Sequence, residues 1–409
     1  MKVAIISPLP PEKPGESIYT ARLIEALAKH RDIEITAIGG LSSMPLTIPR
    51  NNVTTASIWN CQSLLYPFAL WRFIKKRGIQ LVHVQYGPHG EVYGGLFGEV
   101  MLFLLLLLKY TGVKTTVTLH STWMLEQVKL RLEETPRFSI FSIFSSAIFK
   151  IFMKLLYWGT NTVQLSTVRI GSVLKRRFLN EFKFNPDNVL EIPHACTEVV
   201  TNLSKEDAMS QLGVSDRQII LVFGFIRRDK GIHLAMKAVE ELRETIPNIL
   251  LLVAGKPFDE DGTEYLRELR KLRREKKLYN NVRFDTQYIP EEIIPVYFSA
   301  ASIILAPYTE SIGASGPLHS AGGYGRPIVA SDAGMHIGEA LGGNIVTYDQ
   351  ENIDSFCEKL KLVLTNKELA QEIQNKLIQY SKSESWDKAA ERTIAYYRKT
   401  LGIEGAESK

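Results

Sequence analysis

Ile219-Ile220-Leu221-Val222-Phe223-Gly224-Phe225-Ile226-Arg227-Arg228-Asp229-Lys230-Gly231, followed by the amphipathic run Ile232–Ile246, is the stretch from which the fold is read. Five apolar residues closed by a glycine predict a strand buried on both faces. The basic turn then leads into a helical pattern. The same alternation recurs outward along the chain. On the C-terminal side it gives strands at Ile249–Ala254, Val282–Asp285, Ser302–Leu305, Pro327–Ala330 and Asn344–Thr347. On the N-terminal side it gives Val3–Ser7, Ile33–Ile38, Leu81–Gln85, Thr115–Leu119, Thr162–Leu165 and Val189–Ile192. Apolar strands each followed by a helix predict an α/β protein with parallel sheets covered on both faces. Two such series predict two doubly wound halves.

Helical faces support this reading. Tyr19, Leu23, Ala26 and Leu27 share one side of Ile18–Ala28, and Trp386–Leu401 is amphipathic. The charged segment 262–278 is read as a solvated helix with Tyr265, Leu266, Leu269 and Leu272 inward. Pro193-His194 ends a strand and Ser204-Lys205-Glu206-Asp207 starts a helix, so the boundary is expected between 193 and 210. The expected domains are 1–195, 196–385 and a C-terminal helix and tail, 386–409, packing back on the first domain.

The 409 residues fit two or three domains, at about 150 each. Composition is that of a globular protein, with 45% hydrophobic and 23% charged residues, which excludes disordered, collagen-like and disulfide-scaffold classes. A net charge of +5 is too slight for a dedicated nucleic-acid binder, and no nucleic-acid partner is expected. Cys61, Cys196 and Cys357 are scattered, and no Cys or His spacing suits a metal. The longest apolar run, Val100–Leu108, is far short of the roughly 20 residues a spanning helix needs. A cytoplasmic protein is the expectation.

Four loops carry chemistry. The loop after the first strand, Pro8 to Ser17, places Gly15 before a helix, where backbone N–H groups meet a ligand. The loop Gly224–Gly231 offers Arg227, Arg228 and Lys230 to a phosphate. Pro307–Ala321 contains Glu310 and then Ser315, Gly316, Pro317 and Leu318 at a helix start, a place that favours an anion. His120 ends the strand Thr115–Leu119. Loops at strand ends in both halves predict a ligand cleft between domains.

These motifs resemble glycosyltransferase family 4, a retaining type with the GT-B fold of two Rossmann-like domains facing across a cleft. The resemblance covers about residues 1–400 and is strongest from Ile219 to Asp332. The family's Gly-Arg-Leu…Lys-Gly loop reads Gly224-Phe225-Ile226-Arg227-Arg228-Asp229-Lys230-Gly231. Lys230 matches, while Phe225 stands at the family's arginine, leaving Arg227 or Arg228 to supply that cation. Asn281–Phe284 and the loop to Pro290, which contains Tyr288, resemble the segment that holds the nucleotide base. The family's second motif glutamate falls at Ser320 and its first near Ile312, two residues from Glu310; this resembles a Ser-Gly-x-Leu variant, here Ser315–Leu318. Gly15 matches the family's glycine loop, His120 its strand-end histidine beside the donor sugar, and Ile192–Ala195 its hinge.

The resemblance implies sugar transfer from a nucleoside-diphosphate sugar to an acceptor hydroxyl, with retention. Sugars, polysaccharides and lipid-linked sugars are the acceptor classes. It implies His120, Arg227, Lys230 and Glu310 as catalytic, and Gly15, Arg228, Tyr288, Ser315, Gly316, Pro317 and Leu318 as donor-binding. No metal or other cofactor is expected. Two alternatives stand: a nucleotide-sugar-binding protein without transferase activity, since Ser320 replaces a glutamate, and a sugar-nucleotide epimerase. The segment Arg137–Tyr157 has apolar residues around most of a helix, with Lys150 and Lys154 alongside. It is read either as a surface dipping into anionic lipid on the cytoplasmic face or as a helix buried in the first domain.

Overall fold

The computed structural model describes the chain apart from residues 12–14, 45, 47, 49, 88–89, 122, 127, 129–141, 167–172, 191, 200–202, 311–314, 334 and 404–409, and apart from the side chains of 142–145 and 335–336. It divides into two compact units, Met1–His194 with Trp386–Lys409, and Ala195–Ser311 with Ser315–Ser385.

The first unit is built on strands β1 (Lys2–Ile6), β2 (Glu34–Gly40), β3 (Val53–Trp59), β4 (Leu81–Tyr86), β5 (Lys114–Leu119), β6 (Thr162–Leu165) and β7 (Val189–Leu190). Their order is β3-β2-β1-β4-β5-β6-β7, and every pairing is parallel. Side chains alternate across the sheet, as the pleat requires. Val3, Ile5, Ile35 and Leu81 meet helix Gly15–Leu27 and helix Trp386–Leu401 through Leu23, Ile24, Ile394 and Tyr397. Ala4, Ile6, Val82 and Val84 face the opposite way, toward helices Tyr66–Lys76, Val100–Tyr110, Ser142–Gly159 and Val173–Phe182. Strand β3 is absent from the sequence reading. Its residues, Val-Thr-Thr-Ala-Ser-Ile-Trp, form no apolar run because an edge strand has no second neighbour burying it.

The second unit holds β8 (Gln218–Phe223), β9 (Ile249–Ala254), β10 (Val282–Asp285), β11 (Ile303–Ala306), β12 (Ile328–Ser331) and β13 (Val346–Tyr348). The order is β10-β9-β8-β11-β12-β13, again parallel. Ile219, Leu221, Leu250 and Leu252 point to one core; Ile220, Val222, Leu251 and Val253 point to the other. The charged helix runs Glu260–Glu275, with Tyr265, Leu266 and Leu269 buried and Leu272 packed beside them, as read. Ser204 caps Lys205–Gln211 by accepting from the Asp207 amide at 3.0 Å.

Of the segment read as membrane surface or buried helix, residues 137–141 and the side chains of 142–145 lie outside the described residues, and the remainder is both packed and exposed. Within Ser142–Gly159, Phe149, Phe152, Met153 and Leu156 are buried. Ile148, Ile151, Leu155 and Trp158 form a second stripe facing solvent, with Ile151 58% exposed. Phe103 and Tyr110, on helix Val100–Tyr110, are exposed, and Tyr110 meets Trp158 edge-on at 6.3 Å. Elsewhere in Val100–Leu108, Val100, Met101, Leu104, Leu105 and Leu108 are buried, and Leu102, Leu106 and Leu107 are half-buried. Among the described residues no helix is long and apolar enough to cross a membrane.

Candidate functional site

In each sheet the connection direction reverses once, between β1 and β4 in the first and between β8 and β11 in the second. Such reversals leave a crevice outside the carboxyl ends of the two strands, where loops diverge. The chemistry-bearing loops follow these strands or their neighbours.

In the second unit, the turn after β8 is bound to the turn after β9. Gly224 N donates to Ala254 O at 3.0 Å, and Ile226 N to Lys256 O at 3.0 Å. Gly224 has φ +118°, and the ring of Pro317 lies 3.3 Å from where a Cβ would stand. The loop after β11 joins the same group, because Thr309 N donates to Asp229 O at 2.9 Å. Gly231, with φ +60°, sits against the carbonyl of Pro307, where a Cβ would collide. The β8 loop, the β11 loop and the start of helix Gly316–Gly323 are therefore one cluster.

Within it the cations differ sharply. Arg227 forms a bidentate pair with Asp229, both contacts 2.8 Å. Arg228 turns to helix Glu260–Glu275, forking onto Glu268 at 2.7 Å and reaching Asp261 at 2.9 Å. That hydrogen bonding holds the Glu268 carboxyl below its ordinary range. Lys230 is different. Its ammonium lies 3.8 Å from the centre of the Tyr308 ring, and 3.9 Å from the Asp229 carboxylate, beyond hydrogen-bond length. Among the described residues nothing accepts a hydrogen bond from it.

Tyr308, buried, links Lys230 to the helix start. Its hydroxyl is 2.9 Å from Ser315 Oγ, so the Ser315 hydroxyl is engaged there and does not cap the helix. The first-turn amides of Gly316 and Leu318 are left to the positive end of the helix dipole. Pro317 has no N–H to satisfy. The Leu318 side chain is buried in the core, so only its backbone belongs to the site. His319 Nδ1 lies 2.9 Å from Ser315 O, and burial pulls its pKa down to about 4. Glu310 is exposed at the loop's edge and Ser320 is half-buried on the helix. Tyr288, 63% exposed after β10, has the Lys256 ammonium 5.6 Å from its ring centre. Tyr308 and Lys256 were not singled out from sequence; an aromatic beside Pro307 at a strand end was the available signal for Tyr308.

In the first unit, Gly15 opens helix Gly15–Leu27, with open space where a Cβ would stand. Ser7, at the end of β1, binds Thr20 Oγ1 at 2.7 Å and so ties that helix to the strand. His120 follows β5. Its amide donates to Tyr86 O at 2.9 Å, its Nε2 is 2.8 Å from the Gln85 amide, and the Tyr19 ring meets it edge-on at 4.7 Å. Tyr19 also touches His194 and Trp386, at 5.1 and 5.0 Å. Gly15 and His120 thus belong to the first unit, and the other named residues to the second. Among the described residues no three His, Cys, Asp or Glu side chains gather as a metal set.

Residues 204–383 match the family described as glycosyl transferases group 1, the segment that holds the Lys230–Ser315 cluster. The whole chain has the GT-B fold: sucrose-phosphate synthase from Thermosynechococcus elongatus superposes with a TM-score of 0.76 at 19% identity, over 98% of this chain and 100% of that one. HepE from Anabaena, solved in complex with UDP, gives 0.74 at 12% identity over 98% and 100%. Spore coat protein SA from Bacillus subtilis (strain 168) is 24% identical over 206 residues, 48% of this chain and 52% of that protein. The chain spans about half the length of the curated relatives it matches.

Proposed function

We propose that this protein is a retaining glycosyltransferase of the family-4 type, a Ser-Gly-x-Leu variant that moves a sugar from a nucleoside diphosphate to an acceptor hydroxyl. One observation carries the reading. The Lys230 ammonium, with no hydrogen-bond acceptor among the described residues, is joined through Tyr308 to an uncapped helix N-terminus beyond the sheet's reversal point. A diphosphate is the ligand whose charge suits both.

In this reading, departure of the sugar builds negative charge on the diphosphate while the anomeric carbon becomes oxocarbenium-like. Lys230 and the amides of Gly316 and Leu318 oppose that charge, so no metal is needed. Arg227, already neutralised by Asp229, contributes by orienting its loop or by exchanging partners when a phosphate arrives. Arg228 braces helix Glu260–Glu275. Tyr288 offers a stacking face for the base, and Glu310 accepts from sugar hydroxyls. His120 serves the sugar from the first unit. The leaving phosphate takes the acceptor's proton, so no protein base is required. The UDP bound by HepE supports a nucleoside-diphosphate donor.

The acceptor reading is a sugar, polysaccharide or lipid-linked sugar. A lipid-linked acceptor is favoured by the exposed stripe Ile148, Ile151, Leu155 and Trp158, flanked by Lys109 and Lys154 and continued by Phe103 and Tyr110. Lysines beside apolar side chains suit an anionic leaflet at the cytoplasmic face. Ser320 in place of a glutamate supports a second reading, donor binding without transfer.

Labelled nucleotide sugars separate these readings. Transfer with retained configuration supports the proposal. Binding without turnover favours the second reading, and an isomerised donor identifies an epimerase. No interaction with UDP-, GDP- or ADP-sugars at millimolar concentration would sink it.

A further inference from the structure

A chain of buried polar side chains runs through the first unit beneath His120. The carbonyl of Ile192 is 3.2 Å from the Gln164 amide nitrogen, and the other end of that amide is 2.9 Å from Thr118 Oγ1. Thr118 Oγ1 is 2.6 Å from His83 Nε2, whose Nδ1 is 2.6 Å from the Tyr397 hydroxyl. As placed, the Gln85 amide nitrogen lies 3.1 Å from His83 Nε2, and its oxygen lies 2.8 Å from His120 Nε2. His83, Gln85, Thr118 and Gln164 are all almost completely buried. Their hydrogen bonds must therefore close among themselves.

The proton positions follow link by link. A backbone carbonyl only accepts, so it fixes the nitrogen of Gln164 on its side and the oxygen toward Thr118. The Thr118 hydroxyl then donates to that oxygen and has only lone pairs left for His83. His83 must carry its proton on Nε2 and accept from Tyr397 at Nδ1. Burial, which draws the His83 pKa down to about 3, keeps the ring neutral and preserves this distinction between its nitrogens. As placed, the Gln85 nitrogen would set two donors against each other at His83 Nε2, so the network requires the amide turned over, with its oxygen facing that N–H. Its nitrogen therefore faces His120 Nε2, which accepts. Ser166 Oγ already donates to Leu119 O at 3.0 Å, leaving a lone pair 3.5 Å from His120 Nδ1.

We propose that this relay fixes His120 as the neutral Nδ1–H tautomer, and that Gln164, Thr118 and Gln85 are positioning residues for it. In that form Nδ1 carries the proton, toward Ser166 Oγ, while Nε2 accepts from Gln85, so neither nitrogen is set up as a general base. The importance of this for turnover rests on the proposed function; the tautomer itself does not.

The test uses the full chain labelled with 15N-histidine and long-range 1H–15N spectra, which distinguish the two nitrogens. The expected pattern has the proton of His120 on Nδ1 and that of His83 on Nε2. A proton on His120 Nε2 in the wild type overturns the proposal. Gln85→Glu presents acceptors at both ends and should move the His120 proton to Nε2; an unmoved proton also overturns it. Tyr397→Phe removes only a donor to His83 Nδ1. It should lower thermal stability and leave the His120 tautomer in place, whereas a switched tautomer overturns the proposed direction. Gln85→Glu should also lower kcat by about 10–100-fold, with the donor KM little changed. A switched tautomer with unchanged kcat would refute the role of His120 in transfer while leaving the relay standing.

Discussion

At the residue scale, Lys230 and Gly231 stand side by side with opposite duties. On the proposed function Lys230 meets the diphosphate, so Lys230→Ala should leave the thermal midpoint almost unchanged and cut turnover by about 10²–10³-fold. Unchanged donor turnover would remove it from the mechanism. Gly231 serves the backbone: its φ of +60° and the Pro307 carbonyl leave no room for a side chain. Gly231→Ala should cost about 2–4 kcal/mol in denaturant unfolding. The buried histidines set the acid limit. His319 and His83 have pKa values of about 4 and about 3, below the ordinary 6.5. The unfolded chain therefore binds more protons at acid pH. The stability of their neutral forms is complete above pH 6.5 and drains as pH falls toward those values, by ~1.4 kcal/mol per pH unit for each ring. His319→Gln should make the fall in urea midpoint between about pH 6 and 4.5 shallower; an identical slope would refute this account.

Among elements, helix Ser142–Gly159 separates two kinds of apolar residue. Phe152 lies in the core and Ile151 in solvent. Phe152→Ala should therefore destabilise by about 3–5 kcal/mol. Ile151→Glu should leave stability within about 0.5 kcal/mol while weakening co-sedimentation with anionic vesicles. Equal vesicle binding by wild type and Ile151→Glu would count against the lipid reading. The sequence pattern carried the buried strands well, because Val3–Ile6, Ile219–Phe223 and Ile249–Ala254 are unbroken apolar runs and Leu81–Tyr86 interrupts its apolar residues only with His83 and Gln85. It missed β3, whose threonines and serine look like a loop until a neighbouring strand supplies the pairing. It also left the apolar helix undecided, since a helix with two apolar stripes has no amphipathic period to read.

Taken whole, the molecule repeats one architecture twice, and both reversal points were legible as glycine or basic loops after apolar strands. What spacing along the chain did not reveal was how partners divide the cations. Arg227, Arg228 and Lys230 look equivalent in sequence, and only packing shows the two arginines hydrogen-bonded to carboxylates while Lys230 stands 3.9 Å from one. The proposed donor reading predicts a bulk response as well: a nucleotide sugar at about 100 times its Kd should stabilise the protein by ~2.7 kcal/mol. Thermal shift across UDP-, GDP- and ADP-sugars checks this, and only the accepted base should give the full effect.

The partnership of His83 with Tyr397 has a bearing on biosynthesis. The tyrosine leaves the ribosome 314 residues after the histidine, an interval of roughly 15–60 s at ordinary translation speeds. Throughout it, one flank of the early sheet has helix Gly15–Leu27 but not helix Trp386–Leu401, and the imidazole lacks its hydroxyl. The nascent chain must carry that half-covered flank until helix Trp386–Leu401 has been made.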